Sequence, residues 1–153
     1  MAPRPASRVD YRALAEFRYQ VRTFLRRREL AARAAGVEPQ QYLVLLQIKG
    51  LEGRGPATIG ALAERLQVQH HGVVQLVDRL VRRGMVERRR DGSDRREVVV
   101  HLRPPGQRIL ERLATYSVAE LTAEGPLLVS ALSRLVGRSP RPRARARARK
   151  DAR

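Results

Sequence analysis

The chain contains no cysteine, which excludes disulfides, thiolate metal sites and thiol-based redox sensing and fits a reducing cytoplasm. Aromatic residues make up only 4%, too few for the stacking platforms that grip single-stranded nucleic acid. No apolar run approaches the ~20 residues that span a bilayer, so no membrane partner is expected. The opening MAPRPASRVD lacks the apolar core of a secretory signal. Chemistry-bearing groupings are missing as well. Ser93 and Ser117 have no evident base beside them, and no glycine-rich phosphate loop follows a strand. His70 and His71 are neighbours, so on a helix they diverge by about 100° and cannot share a metal without a third ligand nearby. The expectation is a protein with no catalytic site, no metal and no cofactor.

Acidic residues are the other scarcity. Fifteen Asp and Glu face 32 Lys and Arg, for a formal net charge of +17. Such an excess attracts polyanions, and with so few aromatics a duplex is the better fit. A solvated, arginine-rich surface is the alternative, since Lys49 and Lys150 are the only lysines. With 153 residues, 42% of them hydrophobic, the chain can build one packed domain.

Residues 1–9 hold two prolines and read as a flexible lead-in. Asp10 can cap a first helix, 10–36, whose Leu14, Phe17, Val21, Phe24 and Leu25 recur at helical spacing. That stripe needs cover from its own domain or from a second copy. Pro39 opens a second helix in which YLVLLQI is apolar nearly all round, as in a buried central helix. Thr58 can cap a third. A fourth runs from about His70 to Arg83 and stops at Gly84, with Val73, Leu76, Val77 and Leu80 on one side. His71, Gln75, Asp78 and Arg82 lie opposite, flanked by Val74 and Arg79.

Met85–Arg90 and Glu97–Leu102 read as two strands joined by RDGSDR, because Val98, Val100 and Leu102 alternate with Val99 and His101. Five arginines and two aspartates crowd positions 88–96. That density of like charge is costly on a bare hairpin and is relieved by a phosphate backbone. Pro104 and Pro105 restart the chain as a fifth helix, Gly125 and Pro126 are expected to break it, and a short sixth helix ends at Gly137. The tail 138–153, RSPRPRARARARKDAR, carries eight positive residues against one acid and cannot build a core.

The fold class expected is mainly α with a small β-wing, a winged helix-turn-helix that offers a duplex one helix and one hairpin. Within it, IGALAERLQVQHHGVVQLVDRLVRRGMVER resembles the two DNA-binding helices and strand opening of the MarR family of bacterial transcription regulators. DGSDRREVVVHL is similar to that family's wing, with Asp94 and Arg96 in its D-x-R positions. RPPGQRIL is similar to the family's turn into a long helix. The resemblance covers roughly residues 10–136. It implies six helices per subunit and a homodimer built from helices at both ends, 10–36 and 104–137, around a winged DNA-binding lobe at 39–102. It further implies a palindromic operator with half-sites ~34 Å apart. The chain departs from the family where Arg103 and Glu38 replace threonines at helix starts, and where His70 and His71 stand in place of Arg and Ser.

His71 and Gln75, with Val74 and His70 at the flank, are the candidates to read bases, since Gln bridges adenine N6 and N7 and His can donate to guanine. Phosphate contact is the alternative for each. Arg79, Arg82, Arg88 and Arg90 are candidates for the DNA backbone. Asp78 is expected to pair with Arg82 or with a wing arginine such as Arg96. Asp94 and Arg96 are expected to stiffen the wing and leave Arg95 for the minor groove, with the reverse assignment open. The resemblance adds a small lipophilic or aromatic anion as effector, for which Arg18, Arg22, Tyr42 and Tyr116 are candidate lining residues. The functional expectation is a cytoplasmic, sequence-specific repressor that binds double-stranded DNA as a homodimer. A sequence-tolerant structural DNA-binding protein is the alternative.

Overall fold

The computed structural model describes residues 9–137. The basic tail and the lead-in before Val9 lie outside the described residues. The described residues form five helices and one two-stranded sheet, in the order α1 (Tyr11–Ala34), α2 (Pro39–Leu51), α3 (Ile59–Leu66), α4 (His70–Arg82), β1 (Val86–Arg89), β2 (Val99–Leu102) and α5 (Pro104–Val136). The strands are antiparallel, pairing Val86 with Leu102 and Arg89 with Val99. Thr58, just before α3, bridges to the far side of Val99.

Local chemistry sets these boundaries. The Asp10 carboxylate accepts from the Ala13 amide at 3.0 Å, and the Thr58 hydroxyl accepts from Ala61 at 3.1 Å, each satisfying a helix-start donor. At α2 the missing threonine is replaced by a reach-back. Gln41 turns its amide oxygen to the Glu38 N–H at 3.1 Å. That buried oxygen also receives Arg83 at 3.2 Å, and the other Arg83 nitrogen donates to the Gly36 carbonyl at 2.6 Å. One arginine thus ties the end of α4 to the start of α2. Gly84, at φ 68°, turns the chain out of α4 through the left-handed region that glycine occupies without a Cβ penalty.

The core is built around α2, as its all-round apolar sequence requires. Val44, Leu45 and Ile48 are buried with Leu62 of α3, with Val73, Val77 and Leu80 of α4, and with Val86 and Val100 of the sheet. Leu110 and Leu113 of α5 and Val37 close it.

Five helices, not six, are present among the described residues. α5 continues through Gly125 and Pro126 to Val136. A proline removes one backbone donor and crowds the carbonyl four residues earlier, but it does not end a helix whose two halves are both held. Here α5 lies along α1, the most extensive pairing of elements among the described residues. Arg27 pairs with Glu120 and Glu124 just before the proline, Arg28 donates to the Ser117 carbonyl at 3.2 Å, and Ala131 is buried beyond it.

Candidate nucleic-acid interface

α4 separates its faces cleanly. Val73, Val77 and Leu80 are fully buried, whereas His70, His71, Gln75, Arg79 and Arg82 are exposed. Val74 and Asp78 are half-buried at the margins. Steps of four and seven residues place His71, Gln75 and Arg82 in one outward stripe. α3 meets α4 through a turn in which Gln67 adopts φ 54°. Its side-chain amide steadies this left-handed residue by donating to the Glu64 carbonyl at 2.7 Å.

The hairpin stands beside that stripe. In a strand, alternate side chains face opposite ways. Arg88 shares the inward side with Val86 and Val100, and its guanidinium reaches the Asp78 carboxylate at 2.5 Å. Asp78 therefore pairs with a wing arginine, but with Arg88 rather than Arg96 or Arg82, because Arg88 is the one that the strand register aims at α4. Arg88, a candidate backbone contact, is thereby engaged within the protein. Arg90, Arg95 and Arg96 are exposed, and no carboxylate among the described residues pairs with them or with Arg79 and Arg82.

Asp94 pins the wing tip through the backbone. Its carboxylate accepts from the Arg96 N–H at 2.9 Å, and its carbonyl accepts from the Glu97 N–H at 3.0 Å. Both guanidiniums of the tip remain available to an anion. A second fastening escaped sequence reading. His101 on β2 meets the Asp91 carboxylate at 3.0 Å, clasping the start of the tip to the strand. Nearby, Gly92 closes over Val99. The alternation that makes His101 an outward residue was visible, but not the curl that brings Asp91 to it.

The hydrogen bond with His101, more than any other influence, holds the Asp91 carboxyl below its ordinary value. A depressed carboxyl contributes stability above its unfolded pKa and loses it as pH falls through the folded value. On this account the clasp is closed at neutral pH and opens only in acid. His101→Ala should speed hydrogen exchange at the amides of residues 92–98 and leave those of α2 unchanged. Unaltered exchange at the tip would show that the clasp does not restrain it.

The four candidate ligand-lining residues do not converge. Arg18 and Arg22 line an open groove of about 620 Å³ along α1. Tyr42 is buried in the core, because α2 is the central helix, and Tyr116 lies exposed on α5.

Residues 35–97, which carry α2 to the wing tip, match the model of the MarR family. That match places the segment from α2 to the wing tip alongside the MarR family and does not extend to α1 or α5. The HTH-type transcriptional regulator YsmB of Bacillus subtilis is 34% identical to it over 79 residues, 52% of this chain and 52% of that protein. The chain thus spans about half the length of the curated relatives it matches. Among solved structures, the MarR family transcriptional regulator AbsC of Streptomyces coelicolor superposes with a TM-score of 0.68 at 18% identity, covering 86% of this chain and 91% of AbsC. A point mutant of Staphylococcus aureus MepR, bound to an oligodeoxyribonucleotide, superposes with a TM-score of 0.59 at 19% identity, covering 85% of this chain and 98% of that one. At such identities the likeness is one of fold, and it spans the α1 and α5 helices as well as the lobe. No helix among the described residues is long and apolar enough to cross a membrane.

Proposed function

We propose that this chain is a sequence-specific transcriptional regulator, acting as a repressor, that binds a palindromic promoter site as a homodimer. The observation that carries the reading is the outward stripe of α4 set beside a wing tip whose arginines have no carboxylate partner among the described residues. A helix of this width enters the major groove, where His71 and Gln75 meet base edges and Arg79 and Arg82 meet phosphates. Arg95 or Arg96 then reaches the adjacent minor groove. The MepR complex with an oligodeoxyribonucleotide supports use of the same fold in this way.

Selection of bound duplexes from a random pool tests the proposal. The expected product is an inverted repeat with half-site centres ~34 Å apart. A pool without consensus would favour the sequence-tolerant reading, which the charge of +17 also supports. Within a recovered site, Gln75→Ala should weaken binding by ~1–3 kcal/mol and leave affinity for random duplex unchanged. Equal losses on both duplexes would assign Gln75 to the backbone instead.

A further inference from the structure

Behind the wing lies a second basic feature that the DNA-facing stripe does not use. A groove of about 450 Å³ opens where β1, β2 and the first turns of α5 meet the end of α2. Its walls include Arg89, His101, Arg103, Gln107 and Arg108, with Glu52 as the one carboxylate among the described residues that line it. Glu52 is engaged by Lys49 at 2.8 Å, and no carboxylate among the described residues pairs with Arg103 or Arg108. Arg89 is held by Glu87 on the same strand. Arg103 and Arg108, without a carboxylate partner, therefore line one concavity with Arg89, His101 and Gln107, the Gln107 amide itself donating to Glu111 at 2.7 Å.

The strand register decides which way this groove faces. Arg88 points inward to Asp78 on α4, so Arg89 and His101, on the opposite side of the hairpin, point away from α4. With α4 in a major groove, the concavity looks away from the duplex. We propose that this groove is a binding site for a small phosphorylated molecule, with Arg103 and Arg108 as the phosphate ligands. Guanidiniums hold phosphate oxygens through paired, charge-assisted hydrogen bonds, and a concave wall raises the local anion concentration. His101 belongs both to this wall and to the Asp91 clasp, so an occupant touches the residue that fastens the wing tip. An effect of occupancy on duplex affinity would therefore be reciprocal.

The probe is inorganic pyrophosphate, titrated calorimetrically into the full chain at physiological salt. One saturable site is expected. The double variant Arg103→Ala/Arg108→Ala should bind it at least tenfold more weakly, whereas Arg12→Ala/Arg134→Ala, which removes the same charge elsewhere, should bind within twofold of the parent. Equal losses in the two variants would reduce the effect to net charge, and the absence of a saturable site would also overturn the proposal. In a second arm, Arg103→Ala/Arg108→Ala should keep its affinity for duplex DNA and its salt dependence. A flatter salt slope, by about two phosphate contacts, would make the groove a flank of the DNA interface and end the small-molecule assignment. The first arm needs no duplex, so it stands or falls apart from the regulator reading.

Discussion

Gly106→Ala should lower the melting temperature by roughly 5–10 °C, the largest stability effect expected of any single methyl group in this fold. Gly106 sits in the first turn of α5, where the helix crosses the start of β1. A Cβ built there lies 2.2 Å from the Met85 carbonyl oxygen and 3.0 Å from its carbon. These are backbone atoms, and the oxygen is further fixed by accepting from the Arg103 N–H at 2.9 Å. Overpacking a well-filled site costs ~1–3 kcal/mol, and an obstacle that cannot rotate aside puts this case at the upper end. The helix preference of alanine over glycine returns up to ~1 kcal/mol, so the clash wins. A net loss of about 2–3 kcal/mol in a chain of this length gives the stated shift, readable by thermal circular dichroism. Gly50→Ala is the control, because its Cβ meets nothing within 4 Å. That variant should be neutral or slightly more stable. A Gly106→Ala protein melting with the parent would show that α5 is not seated on β1 as described.

How much of this could be read beforehand depended on how local the determinant was. The two faces of α4 were legible because burial of Val73, Val77 and Leu80 follows directly from their spacing. The hairpin was legible from alternation, and its position between α4 and α5 from the glycine and the prolines that bound it. What failed was each inference that needed a third element. Gly125 and Pro126 do weaken a helix locally, but the ion pairs of Arg27 that hold α5 to α1 belong to another part of the chain. Asp78 had a correct class of partner and a wrong residue, because only the register of β1 says which arginine turns inward. The Gln41 reach-back that replaces a capping threonine depends on a side chain three residues on, and its burial depends on Arg83 arriving from α4. Tyr42 looked like a ligand contact only while α2 was considered apart from the core that it centres.

The other large effect concerns assembly. Along α5, Val118, Leu121, Val129, Leu132 and Val136 are all exposed, with exposures of 40–62%. With Gly125 they recur at steps of three, four, four, three and four, the period of an α-helix, so they form one straight seam along it. This seam is not the face that lies on α1, since Ala131 and the half-buried Leu128 and Leu135 sit about a quarter turn around the helix from it. Tyr11, Leu14 and Leu25 of α1 add further exposed apolar surface. A contiguous apolar surface of this extent marks an interaction site, and a self-complementary seam fits a two-fold dimer. Val129→Glu/Leu132→Glu places four carboxylates in such an interface and leaves the single-chain core untouched. It should give monomers in sedimentation velocity with an unchanged circular dichroism spectrum. It should also weaken binding to the selected inverted repeat by ~10²-fold or more, because the second half-site then no longer binds at the effective concentration that the dimer supplies. Affinity for an isolated half-site should barely change. A variant that remains dimeric, or that holds the full repeat as tightly as the parent, would remove the seam from the interface and with it the two-fold reading of the DNA site.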